Sequence, residues 1–223
     1  FWPQDLDYTG KKVVVIGSGA TAVTLVPSLA EKAAHVTMLQ RSPTYIMKLP
    51  NRNGLYISLK KWLPGRMAYR ITRWRNLVMA MGLFGFSRAF PDRMKRLLMK
   101  GAAEELPEDY PVEKHFNPTY NPWDQRLCVI PDGDLFQAIK GGKADVVTEE
   151  IAHFTPKGIA LKSGEVLDAD IIITATGLKM KLLGGARITV DGKTLDTNEQ
   201  AGPKTGKFET FEKFDDFFTA FKN

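Results

Sequence analysis

Apolar residues follow three rhythms along this chain. The first is the short unbroken run. Val13 to Ile16 is β-branched and bounded by turns, as expected for a parallel strand covered on both faces. His35 to Leu39, Ala144 to Val147 and Ala169 to Thr174 read as further strands, the last as a second buried one. The second rhythm is helical. Val23, Val26, Leu29, Ala30 and Ala33 share one face of a helix from Ala20 to Lys32, and Pro27 inside it predicts a kink. Leu135 to Lys140 is a short helix stopped by Gly141-Gly142. The third rhythm is alternation. Phe154 to Val166 reads as a meander turning at Pro156-Lys157-Gly158 and Ser163-Gly164, and Ile188 to Lys193 as a hairpin with an Asp-Gly turn.

The middle of the chain, residues 50–124, has a different texture. Met67, Ile71, Trp74, Val78 and Met81 recur at 4-3-4-3 spacing, which predicts a long amphipathic helix. Pro91 suits a helix start, and Met94, Leu97 and Leu98 give the next helix one apolar face. Arg52 to Lys100 holds twelve Lys and Arg against one acid, Asp92. Two uses fit this composition: a basic patch for a membrane surface or nucleic acid, or a helical subdomain with a solvated basic face and its Met/Trp stripe in a core. The second is the expectation, because charge opposite an apolar stripe is what any surface helix shows. Residues 115–126 then form a Pro/Asn/aromatic loop of the kind that carries function. Beyond Gln200, phenylalanines from Phe208 to Phe221 alternate with charges at helical spacing.

The chemistry begins where the first strand ends. Gly17-Ser18-Gly19-Ala20-Thr21-Ala22 follows Ile16 with no gap. The first glycine allows the sharp turn, the second lets backbone approach a pyrophosphate, and Ala22 lets the helix lie close to the strand. The helix start directs N–H groups and a positive dipole end at phosphates. The next strand leads into Gln40-Arg41-Ser42, where a site for NAD or FAD usually places an acid for the ribose hydroxyls. A guanidinium there pairs with a 2′-phosphate, so the predicted ligand is NADP(H).

Whole-chain properties narrow the picture further. With 223 residues, 43% of them hydrophobic, the chain can bury one good core. Cys128 is the sole cysteine, which excludes internal disulfides, a CxxC redox pair and a cysteine-based zinc site. His35, His115 and His153 lie far apart without ligand spacing. A net charge of +6 is compatible with phosphate-bearing ligands or nucleic acid. The longest uncharged apolar run, Asn76 to Ser87, is too short to span a bilayer, and no signal peptide is evident, so a cytoplasmic location is expected.

Several stretches together resemble the class B flavoprotein monooxygenases, in particular the type I Baeyer–Villiger monooxygenases. They are Val13 to Ala22, Leu39-Gln40-Arg41-Ser42-Pro43, Asn121 to Cys128 and Ile173 to Gly177, with Trp2-Pro3 matching the end of the family fingerprint. The resemblance runs from Phe1 to about Asp196. It implies an α/β, Rossmann-type three-layer NADPH-binding domain with a helical insertion, truncated from a two-dinucleotide flavoprotein that also binds FAD. The implied boundaries are 8–49 and 125–178 for the NADPH domain, 50–124 for the insertion, and 179–223 for a partial return to the FAD domain and a divergent tail. The start at Phe1 and the missing first glycine motif read as an internal fragment, expected to be inactive alone.

By the same resemblance, Arg41 and Ser42 hold the 2′-phosphate, and Gln125 stands where many relatives carry a lysine that assists them. Arg126 falls on the active-site arginine, a cation that stabilises anionic oxygen on the reduced flavin. Ala175-Thr176-Gly177 matches the backbone link between the two dinucleotide domains. The implied reaction inserts one oxygen atom from O2 into a ketone or onto a sulfide, without nucleic acid as a partner. The alternatives are an N- or S-oxygenating flavin monooxygenase, a catalytically silent nucleotide-binding fragment, and a peripheral membrane contact through 52–100.

Overall fold

A computed structural model describes residues 3, 5–177, 188–190 and 193–195. It divides into two units, residues 1–176 and 177–223. In the first, four parallel strands form one sheet. They are β1 (Lys12–Ile16), β2 (His35–Gln40), β5 (Ala144–Thr148) and β9 (Ile171–Thr174), in the order β5-β2-β1-β9. Their side chains divide by a period of two. Val13, Val15, Val36, Met38, Ala144 and Val146 enter one core with α1 (Ala20–Ala30) and α6 (Asp134–Lys140). Val14 and Leu39 face the other way, onto Ile159 and Leu161.

Those last two residues belong to β7 (Gly158–Leu161), the middle strand of an antiparallel meander with β6 (Ile151–Thr155) and β8 (Val166–Asp168). The three layers are therefore helices, parallel sheet and meander. The run in β1 is buried on both faces as expected. The strand β9 is a correction: Ile171, Ile172 and Ile173 are only half-buried, because β9 is an edge strand paired to β1 alone among the described residues. Pro27 lies inside α1, and the helix continues through it.

The insertion contains α2 (Gly54–Lys60), α3 (Gly65–Ala89), α4 (Pro91–Glu105) and α5 (Val112–Phe116). It is bracketed by β3 (Tyr45–Leu49) and β4 (Leu127–Pro131), which pair in parallel with Tyr45 opposite Leu127. The helix α4 packs inward through Met94 and Leu98 on Tyr45 and Ala102 in the main core, whereas Leu97, expected on the same face, is exposed. The helix α3 corrects the expectation. Its buried residues are Ala68, Thr72 and Ser87, whereas Met67, Ile71, Trp74, Val78 and Met81 are 44–66% exposed. The apolar stripe faces outward, not into a core.

In the second unit, β10 (Ile188–Val190) and β11 (Lys193–Leu195) pair antiparallel, as the hairpin pattern predicts. The Asp191-Gly192 turn, Trp2 and the phenylalanine-rich stretch lie outside the described residues.

Candidate functional site

The site grows from the C-terminal edge of the parallel sheet. Ile16 is in register with Leu39, so the turn after β1 and the end of β2 lie side by side. The Gly17 amide donates to the Leu39 carbonyl at 2.8 Å. Gly17 has φ 138°, a conformation that favours glycine, and a Cβ there would collide with the carbonyl oxygen of Ala175. Ala175 is held in place by its own amide, which donates to the Ile16 carbonyl at 2.8 Å. The first glycine is thus required by the chain itself.

Gly19 differs. Its φ of −83° and ψ of −177° suit any residue, and a Cβ added there would meet none of the described residues within 4 Å. Neither backbone conformation nor packing demands glycine at this position. What a side chain would fill is the open space in front of the α1 N-terminus. Among the described residues no side chain caps that terminus, and the first turn carries no acid. The N–H groups of Ala20, Thr21 and Ala22 open this helix, where an anion is the natural partner. Ala22 is fully buried against the sheet.

Ser18 joins the turn to the rest of the site. It is 6% exposed. Its hydroxyl donates to the Ser42 carbonyl at 3.3 Å and accepts from Arg126 Nη2 at 2.5 Å. Arg126 Nε donates to Thr44 Oγ1 at 3.2 Å. The geometry follows from the β3–β4 register: Thr44 and Arg126 immediately precede the paired Tyr45 and Leu127. Tyr120 completes the frame, its hydroxyl 3.0 Å from Thr44 Oγ1 and donating to the Arg126 carbonyl at 2.9 Å. Tyr45 donates to the Tyr120 carbonyl at 2.7 Å. Burial, with Tyr120 and Asp124 adding to it, pushes the Tyr45 phenol up to about 12, so it remains a donor at neutral pH.

The loop that delivers Arg126 is itself tied to α3. Trp123 has φ 73°, rare for an aromatic residue, and its indole N–H donates to Ser87 Oγ at 3.2 Å. Asp124 pairs with Arg88 at 2.5 Å. The Cys128 thiol, beside the Ser18 carbonyl, is buried and pushed up by that burial, against the opposing influence of Arg126 and Thr44.

Arg41 and Ser42 follow β2 at the surface next to the turn, and Arg41 enters none of the ion pairs among the described residues. Gln40 points inward. It is 1% exposed and donates to the His115 carbonyl at 2.7 Å and to Thr148 Oγ1 at 2.8 Å. Thr148 also lies 2.8 Å from His115 Nδ1. Of the residues singled out from sequence, Gly17 to Ala22, Ser42, Arg126 and Ala175 therefore meet at one sheet edge, with Arg41 beside Ser42. Gln125 is exposed next to Arg126, and Thr176 is exposed just past Ala175. Gly177, at φ 97°, opens the second unit. Thr44 and Tyr120 were not anticipated. Tyr120 lies in the loop whose composition marked it as functional, but nothing local marks Thr44. Two open grooves lie elsewhere, one beside α1 and α6 and one between α2 and α3, and neither includes a residue of the glycine turn.

A parallel sheet, a glycine turn running into a helix, and an arginine just past the end of the next strand are the layout of a Rossmann-type unit. No family model matches the chain, but curated proteins do. It is 56% identical over 196 residues to the FAD-containing monooxygenase EthA of Mycobacterium tuberculosis, covering 87% of this chain and 40% of that protein. It is 52% identical over 199 residues to the probable FAD-binding monooxygenase AlmA of an Acinetobacter species, covering 89% and 40%. Over these residues the chain is a homologue of the FAD-containing monooxygenases, and it spans about 40% of the length of the relatives it matches.

Solved structures agree on the fold. OTEMO in complex with FAD and NADP superposes with a TM-score of 0.59 at 20% identity, over 79% of this chain and 39% of that one. An ε-caprolactone-bound cyclohexanone monooxygenase gives 0.60 at 21%, over 80% and 42%.

Proposed function

We propose that this chain is the NADP(H)-binding part of an FAD-dependent monooxygenase, with residues 8–49 and 125–178 as the nucleotide domain, 50–124 as its insertion and 179–223 as a partial return toward the flavin domain. The reaction is the insertion of one atom of O2 into a ketone, or onto sulfur, with the other atom leaving as water. The observation that carries the reading is Gly19. It is a glycine that neither its backbone nor its neighbours among the described residues require, placed before the N–H groups that open α1 and next to Ser18, which bonds to the Ser42 carbonyl. A pyrophosphate explains it, because a bound phosphate at the α1 N-terminus needs that space clear.

In this reading the amides of Ala20, Thr21 and Ala22 hold the pyrophosphate, with Ser18 bracing the turn beneath it. Arg41 and Ser42 take the 2′-phosphate, and Gln125 lies at the margin of the site. Arg126, whose two bonds to Ser18 and Thr44 leave other N–H groups free, presents a permanent positive charge over the turn. The nicotinamide supplies hydride and the flavin activates oxygen when both are bound. Ala175, Thr176 and Gly177 lead toward the flavin-binding part. Gly17 to Ala22 is the one glycine-rich strand-to-helix junction among the described residues. We therefore assign FAD to a second junction beyond them, and expect this chain alone not to turn over. The names of the relatives support FAD as cofactor, and the NADP in structural neighbours supports the nucleotide.

Titration calorimetry with NADP+ and NAD+ tests the reading. The expected result is a preference for NADP+ that Arg41→Ala removes, a loss of about 1.5–3 kcal/mol for a charge-assisted contact. Equal affinity for the two nucleotides in the unmutated chain would overturn it.

A further inference from the structure

The outward face of α3 has no partner among the described residues. Met67, Ile71, Trp74, Val78 and Met81 lie within one narrow arc of the helix, roughly opposite the Ala68, Thr72 and Ser87 side that packs on the protein. Arg66, Arg70 and Arg73 flank this arc on one side and Arg75 on the other. No carboxylate occurs between Gly54 and Phe90. Trp62, in the connection before α3, is 87% exposed. None of the helices among the described residues is long and apolar enough to cross a membrane.

We propose that α3 lies on the surface of an anionic phospholipid bilayer, its apolar arc in the headgroup boundary and its arginines on lipid phosphates. The charge pattern selects this occupant. A second copy of the chain would set two basic helices, neither with a carboxylate of its own, against each other. Nucleic acid would call for cations in the centre of the contact, whereas here the centre is Met, Ile, Trp and Val and the cations are at its edges. An aromatic and aliphatic centre flanked by arginine is the pattern of a helix lying in a lipid interface. The inference does not rest on the proposed oxygenation chemistry, since it concerns only the face of α3 turned away from the sheet.

Co-sedimentation of the 223-residue chain with vesicles of phosphatidylcholine containing a minority of phosphatidylglycerol tests it. The chain is expected to pellet with these vesicles at low salt, to be released as salt rises, and to stay in solution with phosphatidylcholine alone. Trp74→Glu combined with Val78→Glu, both at exposed positions, is expected to weaken binding about tenfold or more. Arg66→Gln, Arg70→Gln and Arg73→Gln together are expected to weaken it too, through charge and not through the arc. A chain that never pellets overturns the proposal, and so does pelleting that the Trp74 and Val78 changes leave intact. Binding to duplex DNA that is tighter than to the vesicles, and undiminished by those two changes, would assign the surface to nucleic acid instead.

Discussion

Two glycines two residues apart answer to different demands. Gly17 is held by its own chain, since its φ of 138° and the Ala175 carbonyl in front of it leave no room for a Cβ. Gly19 is left free by the chain, with ordinary dihedrals and empty space ahead. Substitution should separate them. Gly17→Ala is expected to lower stability by about 2 kcal/mol or more, read as a fall in thermal midpoint. Gly19→Val, at the N-cap of α1, should lower that midpoint less, by about 1 kcal/mol for a poorer cap, while weakening NADP+ binding about tenfold or more, because its side chain fills the anion's place. The opposite ranking in stability would show that the roles are exchanged. Much of this residue-scale picture was legible in the sequence, because a strand, a glycine turn and a helix are local. The bond from Arg126 to Ser18 was not: it spans 108 positions and depends on the β3–β4 register, which no local pattern encodes.

At the scale of elements, one junction joins the insertion to the sheet. His115, at the end of α5, meets Thr148 at the end of β5, and Gln40 at the end of β2 holds both. Burial, and secondarily Lys114, holds the His115 imidazole below its ordinary range, with Asp145 opposing. A histidine kept neutral in the folded chain protonates more readily when unfolded. Its contribution to stability is therefore intact above the unfolded value near 6.5 and is lost as pH falls from there toward the lower folded value. The thermal midpoint should accordingly drop between neutral and mildly acidic pH. His115→Gln, which keeps a hydrogen-bonding side chain without the titration, should flatten that part of the profile. An identical drop in the variant would place the titration elsewhere. The insertion also marks the limit of reading periodicity. A 4-3-4-3 stripe establishes an amphipathic helix but not which side the protein takes. In α3 the protein takes the side with Ala68, Thr72 and Ser87, whose small residues let the helix approach closely, and the stripe is left outside.

At the scale of the molecule, one sheet edge collects contributions from four separate stretches. They are the turn after β1, the end of β2, the start of β4, and Ala175 after β9. The parallel order β5-β2-β1-β9 brings the turn, Ser42 and Ala175 together, and the β3–β4 pair adds Arg126 from beyond the insertion. The order of elements was legible because short apolar runs alternate with helical spacing. The cover on the second face was legible only as a meander, since what it covers is decided by Val14 and Leu39 packing on Ile159 and Leu161, contacts far apart in sequence. If this edge holds NADP(H) through the amides of α1 and through Arg41, bound nucleotide shields both segments. Amide hydrogen exchange followed by mass spectrometry, with and without NADP+, measures this directly. Slowed exchange is expected in peptides covering Gly17 to Ala22 and Arg41 to Thr44, with weaker protection from NAD+. Protection confined to other segments, or equal protection by the two nucleotides, would contradict it.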